Sequence, residues 1–386
     1  MTYDAIVIGI GSMGSSAAYH LAARKCRVLG LEQFNIGHDL GSGHGITRVI
    51  RLAYFEDPAY VPILRRAYQL WREIQKLAGE PLLFVKGGLD VGPMDGSVVA
   101  GSLRSCREHK LKHELLEAAE VNRRFPGWRL PKSMCAVYQP QGGFVLCDRA
   151  IISYVGAAQT LGAEIRGCER VLRWDGVRGG VVVRTDRGTY RAKRLVITAG
   201  AWASKLVEAI QARKLAEPQR QVLIWTQPRT PEHFQPNTFP VFNMESALGG
   251  VVERWYGCPV YGVPGVKFGK YYHRRQAVDP DTMDRNCDAE DERVLREGIA
   301  RFFPKANGPT MAMKTCMFSL SPDKHFVIDR HPEFPRVTVA AGFSGHGFKF
   351  ASVVGEILAE LALNGGSARF PDLRLFSMTR ERKEAE

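Results

Sequence analysis

The chain has 386 residues, of which 45% are hydrophobic, and this composition excludes a disordered or a fibrous protein. A chain of this length buries one large core or two adjoining cores, so we expect two domains. Lys and Arg number 53 against 40 Asp and Glu, which gives a formal net charge of +13. The basic residues are spread along the chain without a stripe interleaved with aromatics. We therefore expect solvated surface charge and no nucleic-acid binding.

Membrane proteins and disulfide or metal frameworks are excluded by two further patterns. No apolar run approaches the length needed to cross a bilayer, and the N-terminus begins with a strand-like segment at 3–8 instead of a charged leader. We expect a cytoplasmic protein that does not enter a membrane. The eight cysteines stand singly, without a Cys-x-x-Cys pair or a His/Cys cluster at zinc spacing. We therefore expect no disulfide framework and no metal site.

The first predicted elements are a strand at 5–9, a glycine turn, a helix at 12–24 and a strand at 26–32. This order opens many nucleotide-binding sheets. A second helix is predicted at 61–78, where apolar residues recur at helical spacing and Gly79 would end the helix.

The alternation of strand and helix is lost between 83 and 145, where short strands surround one predicted helix at 95–109. It returns with a helix from Asp148, the predicted N-cap, to Gly162. Residues 218–315 again favour strands and irregular segments. The remaining predictions are strands at 164–174, 180–185, 189–192, 194–199 and 337–341, and a helix at 348–363 that ends before two glycines.

This order predicts a mixed α/β fold, with a Rossmann-type cofactor-binding domain and an interleaved, sheet-rich substrate domain. The cofactor-binding domain is predicted to consist of residues 1–82, 146–217 and 316–386. The two insertions between these segments, 83–145 and 218–315, are predicted to form the substrate domain.

A dinucleotide-binding fingerprint lies at the first turn, where three glycines follow a strand and open a helix. Such glycines permit a tight turn and a close approach of the backbone to a pyrophosphate, whose charge then lies at a helix N-terminus. An acidic residue closes the next strand and can accept hydrogen bonds from ribose hydroxyls. The predicted contacts of this turn are Gly9, Gly11, Ser12, Met13, Gly14 and Glu32.

The fingerprint alone does not distinguish NAD from FAD, but the rest of the chain does. A later strand ends in small residues at 198–200, and a glycine-rich segment lies at 342–347. Three separated contributions fit FAD, which is contacted along its whole length, whereas an NAD enzyme needs no contribution from the far C-terminus. The predicted cofactor is therefore FAD, with Val171 and Gly200 among its contacts.

Four motifs carry a resemblance to a known family: 44–51 (HGITRVIR), 316–323 (CMFSLSPD), 325–329 (HFVID) and 342–349 (GFSGHGFK). With these motifs the chain resembles the monomeric sarcosine oxidases, covalent-FAD amine oxidases whose relatives include N-methyltryptophan and pipecolate oxidases. The resemblance runs nearly end to end. It implies a flavin-dependent oxidase of small secondary (N-methyl) amino acids, which forms an imine and reduces O₂ to hydrogen peroxide.

The resemblance also implies how the flavin is held. The cysteine that matches Cys316 is joined through sulfur to the 8α carbon of the flavin, and a thiolate is the species that attacks. His44 and Arg48 match positions beside the flavin ring, where Arg48 would offset developing negative charge. The helix that opens near Gly347 would present its positive end to the flavin. The other implied contacts are Thr47, Gly345, Phe348 and Lys349.

The residues implied to act on the substrate lie in separate motifs. Arg51 and Lys349 match the two residues that hold the substrate carboxylate, because an arginine fork grips both oxygens and a lysine adds a point charge. Gly345 is implied as a further substrate contact, and with Gly347 it allows the helix to approach the flavin closely. Lys267 matches the lysine that assists the reaction with oxygen on the opposite flavin face. Tyr256 matches an active-site tyrosine.

The chain departs from the family pattern where substrate choice is decided. Tyr271 stands where a histidine is common, and we name His273 as a candidate replacement. Phe318 stands in place of a tyrosine that is common after Cys-Met, and Asn243 lies where an apolar residue is expected. We therefore predict a pocket that is not tuned to sarcosine itself. The predicted catalytic residues are Lys267, Arg48, Tyr256 and His273.

Several alternatives stay open at this point. An oxidase of cyclic imino acids such as pipecolate or proline, and a dehydrogenase with another electron acceptor, would use the same fold. An RNA-directed protein is the alternative from another class, since this fold also occurs in tRNA-modification enzymes and the chain is basic. An NAD-dependent dehydrogenase would lack the yellow colour of a flavin. Our main prediction is a monomeric oxidase whose partners are a small amino-acid substrate and O₂.

Overall fold

The computed structural model describes residues 2–207, 215–248 and 250–381. In chain order its strands are β1 (Thr2–Ile8), β2 (Val28–Leu31), β3 (Thr47–Ile50), β4 (Leu83–Val85), β5 (Gly88–Gly92), β6 (Glu114–Glu117), β7 (Cys135–Gln139), β8 (Gly143–Leu146), β9 (Glu164–Arg166), β10 (Val171–Val177), β11 (Gly180–Thr185), β12 (Thr189–Ile197), β13 (Glu217–Thr226), β14 (Val241–Leu248), β15 (Val251–Cys258), β16 (Val266–Lys270), β17 (Thr310–Leu320), β18 (Val327–Arg330) and β19 (Val337–Ala341).

The helices, again in chain order, are α1 (Ser12–Ala23), α2 (Tyr60–Ala78), α3 (Ser97–Glu108), α4 (Ala118–Arg124), α5 (Cys147–Thr160), α6 (Ala203–Leu206), α7 (Ala289–Phe302) and α8 (Ala351–Asn364). Within the part of the chain that the structure describes, none of them has the length and apolar character of a membrane-crossing helix.

The first large sheet carries the glycine turn. Its main path runs β10-β11-β12-β1-β2-β9, and β19 branches from β12 to pair with β18. β1 pairs in parallel with both β2 and β12. Ala5, Ile6 and Val7 of β1 have no exposed surface, as expected for a parallel strand covered on both faces. The predicted order of strand, glycine turn, helix and strand is confirmed.

The second large sheet is built mainly from the two predicted insertions. Its order is β17-β13-β16-β15-β14-β5-β7-β6. β5, β6 and β7 come from the first insertion, and β14, β15 and β16 come from the second. A small sheet joins β3, β8 and β4. The predicted mixed α/β class, with a Rossmann-type sheet beside a sheet-rich part, is confirmed.

Two of the predicted domain limits fall inside strands of the second sheet. The limit at 316 lies within β17, where Cys316 pairs with Gln221 of β13. The limit between 217 and 218 lies within β13 itself. A change of composition along the chain does not mark these positions, because β13 and β17 pair antiparallel across both of them. Cys316 therefore lies on the second sheet.

Most predicted helices are found, and the differences have local causes. The helices predicted at 61–78 and 95–109 correspond to α2 and α3. Asp148 is not the N-cap of α5, which Leu146 provides; its carboxylate instead accepts a hydrogen bond from Ile46 N at 2.8 Å. The strand predicted at 164–174 is two strands, and Cys168 between them has a positive φ of 54°. The last helix begins with a 3-10 turn at Phe348–Phe350.

Candidate active site

A continuous cavity is lined by residues from both large sheets. Its wall includes the turn after β1, the end of β2 and the segment at 198–202. The same wall includes residues 316–319 of β17 and the segment 343–349. The cavity therefore connects the predicted dinucleotide-binding turn to the predicted flavin and substrate motifs. The predicted site residues that line it are Gly9, Gly11, Ser12, Met13, Glu32, Arg48, Val171, Gly200, Tyr256, Cys316, Gly345, Gly347, Phe348 and Lys349.

The glycine turn has the shape that a bound pyrophosphate needs. Gly9 has a φ of +86°, and a Cβ there would lie 2.6 Å from Thr198 O. A Cβ on Gly14 would lie 1.8 Å from Gly9 O, so Gly14 packs the helix against the turn and does not line the cavity. Around Gly11 nothing lies within 4 Å of an added Cβ. Open space thus remains where the N-terminus of α1 meets the cavity, and this fits an anionic phosphate.

The Glu32 carboxylate connects this turn to the segment after β2. Its Oε2 accepts from Ile10 N at 2.9 Å, and its Oε1 accepts from Phe34 N at 3.1 Å. His38 Nε2 lies 3.5 Å from Oε1. A carboxylate has about four acceptor positions, so Glu32 can also accept a hydroxyl from the cavity. Its position fits the predicted contact with a ribose.

Cys316 and Arg48 both line the cavity and lie next to each other. Arg48 Nη2 lies 3.7 Å from Cys316 Sγ and also donates to Ser42 O at 3.1 Å. Arg48 Nη1 donates to Thr47 O at 3.1 Å. Cys316 is 3% exposed, and all eight cysteines are free thiols. The guanidinium is therefore placed to stabilise negative charge at the sulfur.

The glycine-rich segment packs closely against β17. Gly345 has a φ of +80°, and a Cβ there would lie 2.5 Å from the Phe318 ring. A Cβ on Gly347 would lie 2.5 Å from the Phe343 side chain. Both positions therefore exclude any larger residue. The close approach brings the 3-10 turn that contains Lys349 to the wall of the cavity.

Lys349 carries a buried amine with little charge compensation. It is 5% exposed, and its Nζ donates to His346 O at 2.7 Å. Within the described ranges, no carboxylate lies within ion-pair distance of it. Burial, and then the neighbouring charge of Arg51, lower the pKa of Lys349 to about 7. The amine is thus charged below this pH and is available to a ligand anion.

Arg51 lies beside this site but does not line the cavity. Its Nη2 forms an ion pair with Glu56 Oε2 at 2.8 Å, and its Nη1 donates to Ala53 O at 2.5 Å. Its Nε lies 3.6 Å from Asp90 Oδ1 and has no hydrogen-bond partner. Burial acts to lower the pKa of Arg51, but Glu56 and Asp90 outweigh it and raise that pKa. The guanidinium is therefore always charged, and protein carboxylates already contact it.

Lys267 binds the backbone at the start of β3. Its Nζ donates to Gly45 O at 2.7 Å and to Thr47 O at 2.5 Å. Burial, and then the charge of Arg48, lower the pKa of Lys267 to about 8. Neither Lys267 nor Thr47 lines the long cavity. Lys267 nevertheless supports the segment that carries Arg48, because it binds the backbone on both sides of Ile46.

His44 faces a second, neighbouring cavity, together with Asp39 and Lys314. It is 2% exposed, and neither ring nitrogen has a hydrogen-bond partner. Burial, and then the charge of Arg48, lower the pKa of His44 to about 3. The imidazole is therefore neutral at physiological pH. The structure does not bring it to the wall of the long cavity.

Three aromatic side chains, Tyr256, Tyr271 and Phe318, line part of the cavity. The ring centroids of Tyr256 and Tyr271 lie 5.1 Å apart, and those of Tyr271 and Phe318 lie 5.6 Å apart. Burial raises the pKa of both tyrosines, so their hydroxyls are protonated donors. Asn243 pairs with Tyr256 across the sheet and lines the same cavity.

The structure does not bring His273 to the cavity. Its Nε2 lies 3.0 Å from Asp291 Oδ1, and Arg220 forms a two-pronged ion pair with the same carboxylate at 2.8 and 2.7 Å. The His273 side chain has no exposed surface. Tyr271, and not His273, lines the cavity, whereas His273 is bound to the buried Asp291.

Two acidic residues near the site have no motif in the sequence. Glu56 pairs with Arg51, and Asp90 of β5 contacts both Arg51 and Asn243. Asp90 comes from a segment that is distant from the other motifs along the chain, so only the paired strands β5 and β14 reveal its position. In the sequence, Asp90 is marked only as a lone acidic residue within a short strand that is otherwise apolar or glycine.

Comparisons with known proteins agree with this geometry. Residues 4–361 match a family model described as FAD dependent oxidoreductase. The monomeric sarcosine oxidase of Streptomyces avermitilis is 44% identical over 95% of each chain. The peroxisomal sarcosine oxidase of Homo sapiens is 34% identical over 94% of this chain and 92% of its own. The N-methyl-L-tryptophan oxidase of Yersinia pestis is 33% identical over 99% of this chain and all of its own.

Solved structures share the fold at lower sequence identity. NikD, described as an unusual amino acid oxidase, superposes with a TM-score of 0.83 and 24% identity over 97% of each chain. A glycine oxidase from Geobacillus kaustophilus superposes with a TM-score of 0.81 and 21% identity over 99% of this chain and all of its own. With the family model and the relatives above, the chain belongs to the FAD-dependent oxidoreductase family and, within it, to the sarcosine and N-methyl amino acid oxidases.

Proposed function

We propose that this protein is an FAD-dependent oxidase of small N-methyl amino acids. The substrate loses a hydride equivalent and a proton and becomes an imine, which water hydrolyses to a primary amine and an aldehyde. Oxygen takes up the two electrons and two protons and becomes hydrogen peroxide. With sarcosine the products would be glycine and formaldehyde. The observation that carries this proposal is the one cavity that connects the dinucleotide-binding turn to Cys316 and Lys349.

The residues of the cavity fit FAD. The open space at Gly11 and the N-terminus of α1 suit the pyrophosphate, and Glu32 suits the ribose. When bound, FAD would supply the acceptor for the hydride equivalent. Cys316 would attach the flavin covalently, because its buried sulfur lines the cavity next to the charge of Arg48. A thiolate must attack in such a linkage, and Arg48 would stabilise it.

Lys349 would bind the carboxylate of the substrate. Lys349 lines the cavity, and its amine has no carboxylate partner of its own in the described part of the chain. Arg51 would supply the second positive charge, and the ion pair with Glu56 must rearrange before its fork can grip the substrate. The two cations also favour a substrate amine that has lost its proton, which is the form that can give up a hydride.

Lys267 would assist the reaction with oxygen. It is a buried cation below its pKa of about 8, and a fixed positive charge stabilises the negative charge that forms as oxygen is reduced. A dehydrogenase that uses another electron acceptor is the second candidate function. A cyclic imino acid is the alternative substrate to an N-methyl amino acid.

We further propose that the protein is a cytoplasmic monomer. A single species of 43.0 kDa in light scattering would support the monomer, and a larger species would contradict it.

A short series of measurements tests the proposal. The purified protein should be yellow, and the flavin should stay with the protein after acid precipitation. Sarcosine, other N-methyl amino acids, proline and pipecolate should then be assayed for peroxide. Colourless protein would contradict the whole proposal, whereas colour released by acid would contradict only the covalent bond. RNA that stays bound at low salt and dissociates as salt is raised would favour the RNA-directed alternative.

A further inference from the structure

Asn243 presents an unused hydrogen-bond acceptor to the cavity. Its Nδ2 donates to Asp90 Oδ1 at 3.0 Å, and Ser102 Oγ donates to Asp90 Oδ2 at 2.8 Å. Asp90 also lies 3.6 Å from Arg51 Nε, so its carboxylate is an acceptor and fixes the orientation of the amide. Asn243 Oδ1 has no hydrogen-bond partner within the described ranges. A polar atom in such a position requires a ligand or a water molecule.

Tyr271 presents an unused donor to the same cavity. Its ring is packed between Tyr256 and Phe318, and its hydroxyl has no hydrogen-bond partner in the described structure. The backbone around it is also fixed: Tyr271 N donates to Arg254 O at 2.8 Å, and His273 two residues later binds the buried Asp291. The hydroxyl is thus held by the fold and does not depend on a ligand for its position.

We infer that Asn243 and Tyr271 form a polar subsite for the side chain of the substrate, and this inference rests on the proposed oxidase function. An acceptor and a donor that line one cavity suit a neutral group that can donate and accept, such as a hydroxyl or a carboxamide. A side-chain carboxylate would face Asn243 Oδ1 and the nearby Asp90 charge. A side-chain ammonium would lie near the positive charge of Arg51, whose Nε is 3.6 Å from Asp90 Oδ1. The preferred substrate is therefore an N-methyl amino acid with a neutral polar side chain.

The subsite should discriminate against substrates with an aliphatic side chain. An aliphatic side chain bound there would leave Asn243 Oδ1 and the Tyr271 hydroxyl without partners after water is excluded, and buried polar groups without partners are unfavourable. Bare sarcosine has no side chain and would leave water at the subsite. Discrimination should therefore appear between side chains of equal size and unequal polarity.

The test compares N-methyl-L-serine with N-methyl-L-2-aminobutyrate, in which a methyl group replaces the hydroxyl. The second-order rate constant of flavin reduction, measured without oxygen for each compound, is free of any effect on the oxygen reaction. We expect the wild-type protein to favour the serine derivative by about tenfold or more. In Asn243→Leu and Tyr271→Phe the ratio should fall toward one. Asn237→Leu and Tyr272→Phe, at positions that do not line the cavity, should keep the wild-type ratio.

Each outcome decides one claim. A wild-type ratio near one, or a high ratio that both variants retain, would overturn the subsite. If neither these compounds nor sarcosine reduces the flavin, the proposed function fails and not only the subsite. Asn243→Leu removes a donor from the buried Asp90 and can impair folding. Tyr271→Phe removes only the hydroxyl and keeps the ring packing, so it decides the question if the first variant does not fold.

Discussion

Lys349→Met tests the carboxylate anchor more cleanly than any change at Arg51. Loss of Arg51 would leave Glu56 and the buried Asp90 without their cation, which destabilises the fold and the site together. Lys349 instead donates to one backbone carbonyl and has no carboxylate partner in the described part of the chain. The change to Met keeps a flexible apolar side chain of similar length. The fold and the bound flavin should therefore be retained.

The expected loss follows from the burial of the pair that Lys349 would form with a substrate. Removing one partner of a buried, hydrogen-bonded charge pair costs about 2–5 kcal/mol, which is roughly 30- to 5,000-fold in kcat/KM. The loss should affect an N-methyl amino acid and should be much smaller for its methyl ester, which carries no negative charge. Lys132→Met, at an exposed position, serves as the matched control and should leave kcat/KM unchanged.

The contribution of Lys349 to kcat/KM should depend on pH. Burial lowers the pKa of Lys349 to about 7, so the amine is charged below this pH and neutral above it. Its contribution to binding is therefore present at low pH and is lost as the pH rises through about 7. The ratio of wild-type to variant kcat/KM, measured with one substrate, cancels the titration of the substrate amine. This ratio should fall with rising pH; a flat ratio, or an equal loss for acid and ester, would refute the anchor.

Two other changes test separate parts of the site, and a third tests a buried ion pair outside it. Cys316→Ser should bind FAD that acid releases, and flavin that stays with the precipitate would contradict the linkage. Lys267→Met should slow reoxidation by oxygen while the substrate still reduces the flavin, as stopped-flow absorbance would show; unchanged reoxidation would contradict its role. Asp291→Asn weakens the buried ion pair with Arg220 and should cost about 3–5 kcal/mol of unfolding free energy in urea. The exposed Asp372→Asn should cost less than about 1 kcal/mol.

The features that the sequence predicts well are local. The turn at Gly9, Gly11 and Gly14 depends on the conformations that glycine allows, so a few residue types are enough to predict its position between β1 and α1. The helices α2 and α3 follow from apolar spacing in the same way. Val337–Ala341 is predicted to the residue, because a short apolar run between turns is consistent with a buried strand.

The features that the sequence does not predict depend on pairing between distant segments. Asp148 has the chemistry of an N-cap, yet its carboxylate binds the backbone of Ile46, about one hundred residues earlier. Tyr271 and His273 are two residues apart, and only the turn after β16 decides which one faces the cavity. The contact of Asp90 with Asn243 likewise depends on the register of β5 against β14, which no local pattern encodes.

Anaerobic titration of the purified protein tests the central claim most directly. One equivalent of an N-methyl amino acid should bleach the absorbance of one equivalent of flavin, and admitted oxygen should restore the colour and yield one equivalent of hydrogen peroxide. A primary amine and an aldehyde should be recovered in the same amounts. A yellow protein whose colour no secondary amino acid bleaches would contradict the account, and colour restored without peroxide would contradict its assignment as an oxidase.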